Sequence, residues 1–269
     1  MKIFVITTTF NSEGTIERNV LSVINQTYRN FEQIIIDNES NDNTLSLVKR
    51  LYDENGLSHH LKIISEKDNG ISDAFNKGIK AAEGEIIAVL NSDDAYYNDQ
   101  VFEKVVNMFN ESEILFVHGD VYFDDPVYGS NIRRPLLCPV TTAMPYNHPT
   151  MFLRKEVYEK FGLYDVSYKY AMDYEFIVKL EKNFPDFKTK GKYFSEYPFA
   201  KMYSGGASWE NELKSIEETK RALKKYSFWD FSAKKNYFLR ITRTRLKKYF
   251  SLLKLNGLVK LWRNKKWDN

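Results

Sequence analysis

The chain has 269 residues, 43% of them hydrophobic, one cysteine and a formal net charge of +3, which suits one large domain or a domain with an extension. The single Cys138 excludes an internal disulfide and any cysteine-built zinc or iron–sulfur site, and its isolation fits a reducing compartment. No apolar run approaches the roughly 18 residues of a membrane-spanning helix, and Met1-Lys2-Ile3 leads into strand-like sequence without the order of a signal peptide.

The charge is unevenly divided. Residues 1–219 carry 23 Lys and Arg against 34 Asp and Glu, about −11, while residues 220–269 carry 16 against two, about +14. Ten aromatic residues lie between Tyr226 and Trp267. An acidic body, 1–219, and a basic aromatic tail, 220–269, are expected as two functional regions.

In chain order, Ile3 to Ile6 reads as a buried strand, and Glu13 to Ile24 as a helix with Ile16, Val20, Leu21 and Ile24 at helical spacing. Phe31 to Ile36 is a second strand, ending in Asp37-Asn38-Glu39-Ser40, and the helix beyond it carries Leu45, Val48 and Leu51. Leu61 to Ile64 is a third strand, followed by Glu66 to Gly70 and a helix from Ile71 to Ala82, with Gly84 as its expected terminator. The apolar run Ile86 to Leu90 is a fourth strand, ending in Asn91-Ser92-Asp93-Asp94. This alternation predicts a largely parallel sheet with right-handed crossovers. A helix from Val101 to Phe109 and a strand from Ile114 to Val117 follow. Tyr122 to Pro139 reads as antiparallel edge strands and loops. Met151 to Leu153 is a short apolar piece, Arg154 to Phe161 a short helix, Asp165 to Asp173 a loop, Tyr174 to Glu181 a helix and Tyr193 to Phe199 a strand. Tyr203 to Ser208 is a loop made flexible by Gly205 and Gly206, and Glu210 to Tyr226 is a helix.

Three strands of the first half end in acidic or amide-rich loops, at Asp37, Asp68 and Asp93. In a parallel sheet these loops converge on one edge, where ligands bind. Neither G-x-G-x-x-G nor G-x-x-x-x-G-K-[ST] occurs, so the usual backbone cradles for phosphate are absent. Asp93 and Asp94 repel unless something positive compensates them, and a divalent cation carrying a phosphate group satisfies that need. Each feature also has a plainer explanation. Asp37, Ser92 or Asp94 would serve as helix caps, and Asp173, just before a helix, could cap it or act as a base. Asp73 and Lys77, four apart, would pair on a solvated helix, and His148 would be an ordinary packed histidine. Four unclustered histidines do not make a zinc site.

Taken together, these motifs resemble the inverting glycosyltransferase family 2. Thr8-Thr9-Phe10-Asn11 with Thr15-Ile16 is similar to the family's opening strand and loop. Ile35 to Thr44 resembles "I-V-D-D-G-S-x-D-x-T", and Glu66 to Gly78 resembles "E-x-D-x-G-I-x-D-A-x-N-K-G". Asn91-Ser92-Asp93-Asp94 occupies the D-x-D position, Tyr170 to Phe176 falls at the acidic catalytic motif, and Tyr203 to Ser208 resembles a late glycine-rich segment of bacterial surface-polysaccharide members. The sequence departs from the pattern at Asn91 for the first Asp of D-x-D, Asn38 for the second Asp of the early pair, Glu39 for Gly, and Met172 for Glu.

The resemblance implies an α/β GT-A fold. That is a Rossmann-like, mostly parallel central sheet flanked by helices, with a small antiparallel part and a helical C-terminal extension. Residues 1–95 would form the nucleotide-binding half and 96–219 the acceptor and catalytic half. It further implies that Thr8 and Phe10 lie near base and ribose, that Asp37 with Glu39 holds the nucleotide, that Asp68 recognises the base side, and that Asp73 lies near the sugar-phosphate path. Asn91 and Asp93 would lie at the diphosphate, Asp93 and Asp94 would hold Mn²⁺ or Mg²⁺, and Asp173 would be the general base. His148, Gly205 and Gly206 would lie on the acceptor and donor side. The implied activity transfers a sugar from a nucleotide-diphosphate sugar, with UDP favoured, to a hydroxyl of a glycan or polyprenyl-diphosphate-linked saccharide, with inversion.

In the tail, Phe238, Leu239, Ile241, Leu246, Tyr249, Phe250 and Leu253 recur at roughly helical spacing with Arg240, Arg243, Arg245, Lys247 and Lys248 between them. A basic amphipathic helix lies on an anionic membrane surface, with Trp262 and Trp267 at headgroup depth; a terminal helix packed on the body is the other reading. The acidic body argues against nucleic acid. Cytoplasmic placement at the inner face of the membrane is expected, and a homodimer is left open. The rivals to an active transferase are a sugar-phosphate nucleotidyltransferase, whose basic phosphate loop is missing from Thr8 to Thr15, and a nucleotide-sugar-binding protein without turnover.

Overall fold

The computed structural model describes residues 1–111, 113–126, 129–205 and 211–253. The first half alternates as the hydrophobic spacing predicts: β1 (Ile3–Thr9), α1 (Ile16–Ile24), β2 (Phe31–Asp37), α2 (Thr44–Glu54), β3 (Leu61–Ser65), α3 (Ile71–Ala81) and β4 (Ile86–Val89). Next come β5 (Ala95–Tyr96), α4 (Val101–Met108), β6 (Phe116–Gly119), β7 (Val121–Asp124), β8 (Asn131–Arg133), β9 (Phe152–Arg154), α5 (Lys155–Phe161) and α6 (Met172–Asn183). The last elements are β10 (Gly191–Phe194), β11 (Ala200–Tyr203), α7 (Glu212–Lys225) and α8 (Phe231–Leu252).

A seven-stranded sheet runs in the order β10-β6-β9-β4-β1-β2-β3, with β9 antiparallel to both its neighbours and the other pairings parallel. Successive residues of its central strands point to opposite faces. Phe4 and Ile6 of β1 and Ile34 and Ile36 of β2 pack under α3, α5 and α6, while Ile3 and Val5 pack against α4. Ile35 joins a layer made by Ile16, Val20 and Ile24 of α1 with Val48, Leu51 and Tyr52 of α2. Helix α3 lies close to the sheet because of Gly78, where a Cβ would sit 2.3 Å from Ile6 Cγ2. Gly84 has a different job from the expected one: α3 already ends at Ala81, and a Cβ at Gly84 would lie 2.1 Å from the Phe4 ring.

Burial on both faces explains the near-continuous apolar runs in β1, β2 and β4. It also orders the loops at one end. Parallel β3, β2, β1 and β4 are neighbours in that order, so the segments after Ser65, Asp37, Thr9 and Val89 share one sheet edge.

Two expectations are adjusted. Tyr193 to Phe199 is not one strand. β10 ends at Phe194 in the large sheet, and β11 begins at Ala200 in a four-stranded sheet ordered β5-β11-β7-β8. Pro198 between them has no N–H to donate to a ladder. The small sheet is mixed, because β11 runs parallel to β7 while β5 and β8 are antiparallel to their neighbours. Helix α6 starts at Met172, two residues earlier than expected, so Asp173 belongs to its first turn. The 219/220 division falls within α7, and α8 packs on the body through Ala233, Tyr237 and Thr244. Gly206 to Ser208, Glu210, Trp262 and Trp267 lie outside the described residues.

Candidate functional site

The loops after β1 and β2 are joined by side chains at their bases. Asn11 N–H donates to Ser40 Oγ at 2.8 Å, Ser12 N–H to Thr44 Oγ1 at 2.7 Å, and Glu13 Oε2 accepts from Asn43 N–H at 3.0 Å. Asp37 is the hub of this joint. Its carboxylate is buried and accepts from Thr9 Oγ1 (2.8 Å), Ser40 Oγ (2.5 Å), Ser40 N–H (2.9 Å) and Ser65 Oγ (2.8 Å). Burial pushes its pKa up, but the hydrogen bonds from Ser40, Ser65 and Thr9 outweigh it and hold the group below its ordinary value. Asp37 therefore shapes the loops from inside. Its neighbour Asn38, which stands for the second Asp of the early pair, reaches across to accept the Asp68 amide at 2.8 Å. Glu39 is exposed and takes φ 54, a left-handed conformation natural to the glycine expected there.

Thr8 is half-buried, and the Phe10 ring is 59% exposed at the mouth of these loops. Asp68 Oδ1 accepts the Gly70 amide at 2.8 Å, and Asp73 Oδ2 accepts the Asn69 amide at 3.0 Å, so both carboxylates brace the turn into α3. Lys77 pairs with Glu66 at 2.9 Å and lies 4.0 Å from Asp73. Ser72 and Asn76 point the other way. Ser72 Oγ donates to the Tyr168 carbonyl at 2.5 Å, and the Asn76 amide exchanges two hydrogen bonds with the Tyr164 main chain, at 2.8 and 2.9 Å. The motif read in α3 thus fixes the approach to α6.

After β4, Asp93 is half-buried and Asp94 is buried. Asn19 Nδ2 donates to the carbonyls of Asn91 (2.8 Å) and Asp94 (3.1 Å), and Arg18 donates twice to the Asp93 carbonyl. Ser92 Oγ lies 3.1 Å from Ser12 Oγ, which brings the β1 and β4 loops together. Burial raises the Asp93 pKa, opposed by its own main-chain amide and the Arg18 charge. Burial and then the Asp93 charge raise Asp94 further, against hydrogen bonds from Asn91 and the Tyr203 main chain. Asp94 thus points toward the end of β11, where Tyr203 stacks on Arg18 at 3.8 Å. Gly205, two residues on, has φ 122.

Among the described residues, no three His, Cys, Asp or Glu side chains gather as a metal site. The donor set here still fits a hard divalent cation of the kind that takes one or two carboxylates and completes its shell with substrate phosphate and water. Two adjacent, desolvated carboxylates with raised pKa values are the local sign of missing positive charge.

The second acidic centre lies beside β4. Asp173, His148 and Tyr164 line a small cavity with Val89 of β4. Asp173 Oδ1 accepts the Tyr174 amide at 2.7 Å. His148 stacks on Phe75 at 5.9 Å, and its Nε2 is 3.4 Å from Tyr164 Oη. Burial lowers the His148 pKa and the Asp173 charge opposes this, so the imidazole is neutral at neutral pH.

Two supports of Asp173 come from distant sequence. Glu218 of α7 accepts the amides of Lys169, Tyr170 and Ala171 at 2.8–3.1 Å, holding the chain just before α6. Glu175, fully buried and two residues on in the same first turn, accepts from Lys225 Nζ (2.8 Å) and Tyr226 Oη (2.6 Å). Arg18, Glu218 and Lys225 had no signal in the sequence beyond their charge.

Comparison with known proteins gives a concordant result. The Glycosyl transferase family 2 model matches residues 4–173. An uncharacterized glycosyltransferase of Haemophilus influenzae is 30% identical over 150 residues, covering 55% of this chain and 56% of the relative. The Escherichia coli UDP-Glc:alpha-D-GlcNAc-diphosphoundecaprenol beta-1,3-glucosyltransferase WfgD is 32% identical over 117 residues, 43% of this chain and 44% of that one. The chain spans about half the length of the curated relatives it matches. Among solved structures, S. aureus TarS in complex with UDP-GlcNAc matches with a TM-score of 0.66 at 21% identity, over 84% of this chain and 65% of that one. The mannosyltransferase PcManGT from Pyrobaculum calidifontis, in complex with GDP-Man and Mn2+, matches at 0.61 and 15% identity, over 96% of this chain and 80% of that one. These two likenesses show the fold, GT-A.

Proposed function

The chain belongs to glycosyl transferase family 2, and on that premise we propose that it transfers a sugar from a nucleotide-diphosphate sugar, UDP-sugars favoured, to a hydroxyl of a glycan or lipid-linked glycan, with inversion, in bacterial surface-polysaccharide biosynthesis. One observation carries the reading. The carboxyl end of β4 bears Asp93, and Asp173 lines a cavity with Val89 of the same strand, so one strand end lies beside a desolvated acidic pair and a separate carboxylate.

The exposed Phe10 ring offers a face for the base, with Thr8, Glu39 and Asp68 around the nucleotide and Asp73 and Asn91 toward the sugar-phosphate side. Asp93, backed by Asp94, would hold Mn²⁺ or Mg²⁺, and the bound cation would supply Lewis-acid neutralisation of the charge on the leaving diphosphate. Asp173 takes the proton of the acceptor hydroxyl as that oxygen bonds to the anomeric carbon and the carbon–oxygen bond to the diphosphate breaks. A single displacement inverts the configuration. One carboxylate suffices as base, because the leaving diphosphate needs no general acid of the kind glycosidases supply. His148 and Gly205 border the acceptor and donor sides.

Helix α8 supports membrane association at the inner face of the cell membrane. It packs inward through Ala233, Tyr237 and Thr244, while Phe231, Phe238, Leu239, Leu246, Tyr249 and Leu252 remain exposed beside Lys235 and Arg245. Apolar rings interleaved with cations suit an anionic bilayer surface. Among the described residues no helix is long and apolar enough to cross a membrane.

The test is a binding and hydrolysis screen of UDP-, GDP- and dTDP-sugars with Mn²⁺, Mg²⁺ or EDTA, beside Asp93→Ala and Asp173→Asn. Metal-dependent binding of one donor, lost in Asp93→Ala and kept in Asp173→Asn, is the expected result. A folded protein that binds none of them ends this reading.

A further inference from the structure

Asp173 has a titratable companion whose part in the chemistry is unassigned. His148, Tyr164 and Tyr158 share its cavity with apolar side chains from β4, β9 and α6. The space is about 10 Å³, room for one water and too little for a sugar ring. His148 therefore meets Asp173 across a gap that no substrate ring enters. The imidazole is held on two sides: its face lies on Phe75 of α3 at 5.9 Å, and its Nε2 is 3.4 Å from Tyr164 Oη. Tyr164 in turn shares a hydrogen bond between hydroxyls with Tyr158 of α5.

Among the described residues that line the cavity, Asp173 is the one carboxylate and His148 the one group able to become a cation near neutral pH. The other charges on the surrounding elements are engaged elsewhere. On α3, Asp73 accepts the Asn69 amide and Lys77 pairs with Glu66. On α6, Glu175 is held by Lys225 and Tyr226, and Lys179 donates to the carbonyls of Gly162 and Leu163. Of the strands beside the 148–150 turn, β6 offers His118, stacked on Tyr193, and β11 offers Lys201, over the Tyr97 ring. A charge pair across an apolar gap interacts far more strongly than one in water. Burial favours the neutral imidazole, and the Asp173 charge works against it. A neutral ring leaves the carboxylate free to take a proton; a charged ring would engage it and withdraw its basicity.

We propose that His148 is a positioning residue for the Asp173 base: neutral, it leaves that carboxylate available, and protonated, it binds it as an ion pair, so that one proton taken up by the two groups ends transfer. This role rests on the glycosyl-transfer reading above, in which Asp173 is the base. The acid limit of the reaction then belongs to the pair and not to Asp173 alone. The Tyr164 hydroxyl and the Phe75 ring fix the imidazole where it can act on Asp173 without touching either substrate.

The first measurement needs no substrate. The His148 ring is titrated by NMR in the full chain and in Asp173→Asn. Loss of the carboxylate charge is expected to move its midpoint about one pH unit lower, the small end of the effect of an opposite charge at close range. The second is the pH profile of kcat for hydrolysis of whichever UDP-, GDP- or dTDP-sugar the screen returns, with Mn²⁺, in the wild type and in His148→Gln. A proton on either partner silences the wild-type base, so the variant, left with Asp173 alone, should lose its rate about one pH unit further into acid. A packing role would lower kcat equally at every pH with the acid limb in place. That result overturns the proposal, as does a His148 midpoint indifferent to Asp173→Asn. Should His148→Gln fail to fold, the wild-type acid limb must coincide with the His148 midpoint, and a limb set apart from it is equally fatal. A failed nucleotide-sugar screen beside a midpoint that follows Asp173 removes the transfer reading and leaves a charge-coupled pair; a successful screen beside an indifferent midpoint removes the role of His148 alone.

Discussion

Arg18 donates two hydrogen bonds to the main-chain carbonyl of Asp93, at 2.8 and 3.2 Å. The same guanidinium lies 3.8 Å from the centre of the Tyr203 ring. One side chain of α1 therefore links the acidic turn after β4 to the end of β11, where the glycine-bearing loop begins. Arg18 touches the site through Asp93 and so acts as a positioning residue. Arg18→Ala is expected to raise the Mn²⁺ concentration needed for half-maximal donor binding by about 10- to 100-fold, the range for residues that orient a metal ligand. Arg18→Lys should fall between, since it keeps charge but loses the fork and the stacking. An unchanged Mn²⁺ midpoint in Arg18→Ala would sink this assignment.

Asp173→Asn is expected to lower kcat by about 10²- to 10⁴-fold, the usual contribution of a general base, with donor affinity held. Glu218 works at one remove. Glu218→Ala strips the acceptor from the amides of Lys169, Tyr170 and Ala171 and should cost about 1–3 kcal/mol of stability, together with a lower kcat and little change in donor KM. Thermal unfolding and steady-state kinetics check both, and a wild-type unfolding midpoint for Glu218→Ala would refute the clamp.

The buried Glu175 depends on Lys225, whose side chain is 41% exposed. Removing the cation leaves an uncompensated carboxylate, so Lys225→Met should cost about 3 kcal/mol, the lower end of the range because Lys225 is partly solvated. Urea unfolding measures it. A loss below about 0.5 kcal/mol would refute this dependence.

Asp165, the other partner of Lys225, supplies a pH signature. Burial raises its pKa, but the hydrogen bonds from Lys225 and Ser167 outweigh it and bring the group from 3.8 down to about 2. A depressed carboxyl means that the unfolded chain binds more protons over that interval. The stability it contributes is present above pH 3.8 and is lost as the pH falls through about 2. Lys225, raised above its ordinary value against its own burial by Asp165 and Glu175, contributes stability that is lost only in strong alkali. Asp165→Asn should therefore flatten the acid limb of the stability curve; an unaltered limb would assign that limb to other carboxylates.

Glu39 stands in left-handed backbone at φ 54. Glu39→Gly relieves a strain of about 1–2 kcal/mol and returns part of it as chain entropy, for a net gain of roughly 1 kcal/mol. If Glu39 also contacts the nucleotide, donor affinity falls while the melting temperature rises, and calorimetry separates the two. A lower melting temperature would contradict the strain argument.

Spacing within the sequence determined the order of strands and helices through β4, the acidic loops on one sheet edge and the presence of Asp93 and Asp173 at loop–element junctions. Those features are local: apolar period, strand length and turn residues act over a few positions. The tertiary structure alone decided which side chains face the site and which support it. Asp37 turns inward because Thr9 and Ser65 from other loops satisfy it, whereas Asp94 is buried beside Asp93 with hydrogen bonds that do not offset its desolvation. The strand expected over Tyr193 to Phe199 divides between two sheets because β6 and β7 lie on either side of the break. Arg18 meets Asp93 across 75 positions and Glu218 meets Ala171 across 47. Contacts so distant leave no periodicity in the chain, since they exist only once packing has closed the intervening loops.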